Sequence, residues 1–142
     1  MARVIQISRK LEFDSGHRVL GHEGKCKNLH GHHYVAEITI RAPDLDGIGR
    51  VIDFGEVKRL VGSWIDKFWD HNMLLHPDDP QLQHLIKTEP IAPYIMKRGN
   101  PTAENMAAEL GEIAILLLPP IMQIVQVRIY ETPNCWADWE NS

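Results

Sequence analysis

The stretch His30-Gly31-His32-His33-Tyr34-Val35-Ala36-Glu37-Ile38-Thr39-Ile40 decides how this chain is read. From Tyr34 to Ile40 the residues Tyr34, Ala36, Ile38 and Ile40 alternate with Val35, Glu37 and Thr39, the period of two expected of a strand with one covered face. His30 and His32 stand two apart at its start, so their imidazoles leave the same face with Cα atoms about 6.5–7 Å apart. His33 points to the other face.

Upstream, Val4 to Phe13 is rich in β-branched and large apolar residues and reads as the first strand. Downstream, Pro43-Asp-Leu-Asp-Gly-Ile-Gly49 has turn composition, followed by a short extended piece, Arg50 to Ile52. Asp53 then reads as a helix N-cap with Glu56 at N3, the carboxylate form of a capping box. Phe54, Val57, Leu60, Val61, Trp64, Ile65 and Phe68 form one amphipathic stripe. A second stripe, Met106, Ala107, Leu110, Ile113, Ala114 and Leu117, begins after Pro101-Thr102 and is stopped by Pro119-Pro120. Ile121 to Glu131 alternates again, and Cys135 to Trp139 reads as a short last strand. The order ββααββ predicts an α+β fold, with an antiparallel sheet carrying both helices on one face. Asn72 to Asn100 has little periodicity and reads as a long loop, near the site or at an edge.

At 142 residues, with 44% hydrophobic and 24% charged residues, the chain is expected to be one soluble domain over 1–142. Zinc hydrolases built on (β/α)₈ barrels need about 250 residues and are excluded. The formal charge of -4, without a basic stripe, argues against a nucleic-acid partner. The first residues lack an apolar signal region, and the longest apolar run, Ile113 to Leu118, is far below the roughly 20 residues of a membrane span. A cytoplasmic location is expected, with Cys26 and Cys135 as free thiols.

Five of the 8 histidines fall between Gly16 and Tyr34. If the first two strands pair antiparallel, the Arg18–Leu29 connection brings His17 beside His30 and His32. Three neutral imidazoles suit Zn²⁺ and leave a fourth position open, as catalytic zinc is bound. A lone His-x-His also fits a polar loop end. Cys26 weighs against that reading, because it lies four residues before His30 in Lys25-Cys26-Lys27, where flanking ammonium groups favour the thiolate. The alternative for Cys26 is a fourth zinc ligand that closes the site, and spacing alone leaves both open.

Phe13-Asp-Ser-Gly-His17-Arg18, Gly21-His-Glu-Gly-Lys-Cys26-Lys-Asn-Leu-His30-Gly-His32-His-Tyr34, Val51-Ile-Asp-Phe54, Asp70-His71-Asn72, Pro101-Thr-Ala-Glu-Asn105 and Tyr130-Glu131-Thr132 follow one another in this order. In that combination the chain resembles the 6-pyruvoyl-tetrahydropterin synthase/6-carboxy-tetrahydropterin synthase family over nearly its whole length. The spacing Cys-x₃-His-Gly-His is similar to the bacterial carboxy-forming enzymes of queuosine biosynthesis. The resemblance implies the tunnelling fold, a four-stranded antiparallel sheet with two helices, assembled into a homo-oligomer, usually a hexamer. It also implies a zinc-dependent lyase. That enzyme would convert 7,8-dihydroneopterin triphosphate to 6-carboxy-5,6,7,8-tetrahydropterin, releasing acetaldehyde and triphosphate. A pyruvoyl-forming synthase and a non-catalytic zinc- or pterin-binding protein are the alternatives.

By the same resemblance His17, His30 and His32 bind zinc and Cys26 acts as a base. Asp70 and His71 complete a relay contributed to a neighbouring subunit's site. Adjacent strand residues face opposite ways, so Asp70 and His71 can cooperate only in a turn or at a helix end, where Asp70 would fix the tautomer of a proton-moving His71. The alternative for the pair is a histidine favoured by the helix C-terminus. Glu131 matches the family's pterin anchor, since a carboxylate accepts two parallel bonds from an amino-pyrimidinone edge. Thr102 and Glu104 are either helix-start residues or pterin contacts. Arg18, Lys25 and Lys27 are the cations nearest in sequence for the triphosphate. Cys135, beside Trp136, reads as a buried or interface thiol. One departure from the family pattern is the length of the segment between His71 and Pro101, where Tyr94-Ile-Met-Lys-Arg98 reads as an extra hairpin.

Overall fold

The computed structural model describes residues 4–142. Strands β1 (Gln6–His17) and β2 (His30–Arg41) pair antiparallel along their whole length, from Gln6 opposite Arg41 to His17 opposite His30. Both are longer than their apolar alternation suggests. The added residues at that end, Asp14 to His17 and His30 to His33, are polar or glycine and leave no hydrophobic period to read. Helix α1 covers residues 54–68 in three contiguous parts, α-helical Phe54–Val57, π-helical Lys58–Gly62 and α-helical Ser63–Phe68. Asp53 caps it by accepting from the Gly55 N–H, but Glu56 pairs with Arg59 instead of completing a capping box. Residues 51 and 52 form bends, and 50–52 is not an extended piece.

The sheet has six strands, not four. Beyond β1 and β2 come β3 (Asn72–Leu75), β4 (Tyr94–Ile95), β5 (Gln123–Thr132) and β6 (Cys135–Glu140), in the order β4-β3-β1-β2-β5-β6. The four strands read from the sequence form the antiparallel body. β3 adds parallel to Ser15–His17 of β1, and β4 adds parallel to β3. Strands of four and two residues are too short to show a period, which is why 72–100 reads as a loop. It also contains a third helix, α2 (Leu82–Thr88), and Tyr94–Ile95 pairs with β3 where a hairpin was expected.

Helix α3 (Ala103–Leu117) begins at Thr102, whose hydroxyl accepts the Asn105 N–H, and packs on β5 and β6. Leu11, Phe13, Tyr34, Ala36, Ile38, Val127 and Ile129 from the sheet meet Val57, Val61 and Ile65 of α1 and Met106, Ala107, Leu110 and Ala114 of α3 in one core. Gly111 is required there, because a Cβ would stand 2.3 Å from the Trp139 ring. Among the described residues no helix is long and apolar enough to cross a membrane.

Candidate metal centre and its surroundings

The β1/β2 register sets His17 directly opposite His30, with His32 two residues further along the same face. Their ring centroids lie 4.6, 4.9 and 5.1 Å apart, and one nitrogen from each falls within 4.8 Å of the other two. His17 is 1% exposed. Burial lowers its pKa, and burial lowers that of His32 as well, so both imidazoles favour the neutral form.

Backbone carbonyls fix two of the tautomers. His17 Nδ1 stands 2.7 Å from the Pro101 carbonyl oxygen and His30 Nδ1 2.7 Å from that of Asn28. A carbonyl only accepts, so each Nδ1 carries the proton and each Nε2 presents a lone pair. Those two Nε2 atoms face each other at 3.1 Å, and the buried His32 Nε2 has no hydrogen-bond partner among the described residues. Three neutral donor atoms converging in this way are stabilised by a cation. With Zn–N bonds of about 2.0–2.1 Å, tetrahedral geometry puts ligand nitrogens roughly 3.4 Å apart, close to what the pair shows. The donor set therefore fits a divalent cation of the zinc type, with Pro101 and Asn28 as orienting acceptors.

Glu131, on β5, brings Oε1 to 3.5 Å from His32 Nε2, too long for a hydrogen bond but within the field of the triad. Cys26 lies in a one-turn 3₁₀ helix, Lys25–Lys27, half-buried between two exposed lysines, and its carbonyl accepts the Val19 N–H at 2.7 Å. Asn100 ties this loop to the entry of α3. Its side-chain oxygen accepts the Leu20 N–H at 2.8 Å, and its side-chain amide donates to the Leu20 carbonyl at 2.9 Å. The Asn100 carbonyl in turn accepts from Thr102 N and Asn105 Nδ2. Arg18 is committed to the buried Asp79 through two bonds of 2.6 Å, which removes it from the cations free to meet a triphosphate. Lys25 and Lys27 remain exposed.

Asp70 and His71 sit in the turn after α1, where His71 adopts φ 55. His71 Nδ1 is 2.9 Å from Asp70 Oδ2, while Asp70 Oδ1 accepts the Asp14 N–H. The Asp70 hydrogen bond raises the His71 pKa and leaves the exposed imidazole its Nε2 as the working atom. His71 groups with Asp14 and Asp70, apart from the triad. The open side of the sheet also holds His33, bonded to Asp14 at 2.7 Å and near Glu12 at 3.3 Å. A cleft of about 730 Å³ reaches both groups, lined by His30, His32, His33 and His71 and walled by Leu85 and Ile91 of the 72–100 segment. Glu104 is exposed in the first turn of α3. Cys135 is exposed in this chain.

Two groups here escape a reading of the sequence. Tyr34 counts there as an apolar strand residue, yet its ring packs beside the triad and its buried hydroxyl has no hydrogen-bond partner among the described residues. Glu109 on α3 is 2% exposed and accepts from Tyr94 Oη at 2.6 Å and Lys97 N at 2.8 Å.

The model of the family described as 6-pyruvoyl tetrahydropterin synthase matches residues 6–142. The chain belongs to that family. Within it, the chain is 42% identical over 137 residues to a Rickettsia typhi protein named 6-carboxy-5,6,7,8-tetrahydropterin synthase, covering 95% of this chain and 99% of the relative. A Haemophilus influenzae protein of the same name is 28% identical, at 96% and 99% coverage. The fold of this chain is similar to that of an uncharacterized Wolinella succinogenes protein, WS1659, with TM-score 0.84, 24% identity and coverage of 99% and 100%. The Caenorhabditis elegans 6-pyruvoyl tetrahydropterin synthase matches with TM-score 0.70, 23% identity and coverage of 99% and 97%.

Proposed function

We propose that this chain is a zinc-dependent synthase of the carboxy-forming kind. It takes 7,8-dihydroneopterin triphosphate to 6-carboxy-5,6,7,8-tetrahydropterin with loss of acetaldehyde and triphosphate, in the cytoplasm and as a step of queuosine biosynthesis. The observation that carries the reading is the convergence of the His17, His30 and His32 lone pairs in a chain whose 38–42% identical relatives are all named for this product. His17, His30 and His32 would hold Zn²⁺, which when bound polarises substrate oxygens and lowers the pKa of hydroxyls.

The protein's own groups supply the rest. Cys26, between Lys25 and Lys27, takes a proton from the substrate side chain. His71, held by Asp70 in one tautomer, moves protons through Nε2. Glu131 accepts the paired donors of the pterin's amino-pyrimidinone edge, and Thr102 and Glu104 contact the ring from the start of α3. His71 is exposed in one chain and grouped apart from the triad, which supports its serving a neighbouring subunit's site in a homo-oligomer, a hexamer in this reading. The single domain over 1–142 would then hold only part of each active site.

Cys26→Ala tests the assignment. The proposal expects zinc content retained and turnover lost. Loss of zinc would make Cys26 a fourth ligand, and retained turnover would remove it as the base.

A further inference from the structure

Among the described residues, His71 is the only one other than glycine with a positive φ, at 55°. It stands third in the turn Trp69–Asn72, which the Asn72 N–H closes on the Trp69 carbonyl at 3.2 Å. A positive φ at that position ordinarily takes glycine or asparagine, because a Cβ there crowds the backbone. Such a conformation persists only where the surroundings fix the chain on both sides.

Before His71, the turn is held by the backbone of one β1 residue. The Asp14 N–H donates to Asp70 Oδ1 at 2.9 Å, and the Asp14 carbonyl accepts the His71 N–H at 2.6 Å. After His71, the hold is made by side chains. Asn72 Nδ2 donates to the Phe68 carbonyl at 3.0 Å, filling an acceptor at the end of α1, and Asn72 Oδ1 accepts the Met73 N–H at 2.9 Å. The buried Ser15 hydroxyl donates to the Asn72 carbonyl at 3.0 Å. Ser15 lies opposite His32 of β2 and Asn72 of β3, so this bond also ties the turn to the strands that carry the triad. Were His71 to relax to a negative φ, its Cβ would leave the backbone in another direction. The imidazole would then lose Asp70 Oδ2, now 2.9 Å from its Nδ1, and its place in the wall of the cleft.

We propose that Asn72 is a positioning residue for His71, its side-chain amide holding the turn in the left-handed conformation that keeps the imidazole on Asp70 and at the cleft. The effect on turnover rests on the pterin reading above, and the effect on the His71–Asp70 contact stands without it.

The test is Asn72→Ala in the full-length, zinc-loaded protein, with Ser15→Ala as an independent cut at the same place. His71 is followed by NMR titration, and turnover of 7,8-dihydroneopterin triphosphate by steady-state kinetics. Asp70, by its hydrogen bond and charge, and then Asp14 hold the wild-type midpoint above the ordinary value of about 6.5. In Asn72→Ala the midpoint should fall toward that value, with kcat lower by about 10-fold and KM within about twofold of the wild type. Zinc content should be unchanged and Tm lower by at most a few degrees. Ser15→Ala should move the midpoint and kcat in the same direction by less. A wild-type midpoint in Asn72→Ala would overturn the proposal, whatever happens to kcat, because the imidazole would then keep Asp70 without the amide. A lowered midpoint with wild-type kcat in an active enzyme would overturn it too. A wild type that does not turn over the triphosphate defeats the pterin reading alone, since the midpoint is read without substrate and still decides whether Asn72 positions His71.

Discussion

Replacing Glu109 by alanine removes the acceptor that ties the 94–98 segment to α3. Both carboxyl oxygens are used, one by Tyr94 Oη at 2.6 Å and the other by Lys97 N at 2.8 Å, with Arg98 N at 3.4 Å. The side chain is 2% exposed, so water cannot replace it without opening the helix from the sheet. Each donor left unpaired in this part-buried setting costs about 1–3 kcal/mol, and two are orphaned, which places Glu109→Ala about 2–6 kcal/mol below the wild type. For a domain of this size that corresponds to a fall in Tm of roughly 7–20 °C. Glu109→Gln keeps one oxygen for the Lys97 N–H and can offer its amide to the Tyr94 oxygen, so its expected cost is about 1 kcal/mol. Urea unfolding at a fixed protein concentration measures both. A Glu109→Ala protein within about 1 kcal/mol of the wild type would refute the reasoning, because the buried acceptor would then be dispensable.

Asn100→Ala removes both side-chain bonds to Leu20, so alkylation of Cys26 should quicken and kcat fall about 10-fold while Tm drops by only a few degrees; an unchanged alkylation rate counts against the tie. His71 has a raised pKa because Asp70 accepts from it, so the imidazolium contact is fully present below about pH 6.5 and is lost as pH rises through the folded value. Asp70→Asn should therefore lower the His71 titration midpoint read by NMR, and an unmoved midpoint would contradict the pairing. Joint Lys25→Ala and Lys27→Ala should raise KM for the triphosphate substrate several-fold with little change in zinc content; an unchanged KM would exclude them as phosphate contacts.

What could be read from the sequence follows from how much pattern each element leaves. β2 was visible because Tyr34, Ala36, Ile38 and Ile40 keep a strict period, β1 because Val4 to Phe13 is rich in β-branched and large apolar residues, and α1 and α3 because their stripes run for several turns. The triad was visible because a His-x-His spacing on a strand fixes which face the rings share. β3 and β4 were hidden because four and two residues carry no period, and their pairing depends on the distant Ser15–His17 edge of β1. The π-helical turn was hidden because Val57, Val61 and Ile65 satisfy an α-helical stripe equally well. Glu109 and Asn100 were hidden for a different reason. A glutamate on an amphipathic helix and an asparagine before a proline both read as solvent-facing, and only the folded chain shows what they bond. Arg18 was misread as a free cation for the same reason, since Asp79 lies sixty-one positions away.

The carboxy-forming assignment separates this chain from a pyruvoyl-forming synthase and from a non-catalytic binder in one measurement. Zinc-loaded protein incubated with 7,8-dihydroneopterin triphosphate, with products identified by mass and acetaldehyde assayed, should give 6-carboxy-5,6,7,8-tetrahydropterin and equimolar acetaldehyde. Formation of 6-pyruvoyl-tetrahydropterin without acetaldehyde, or no turnover at full zinc occupancy, would contradict it.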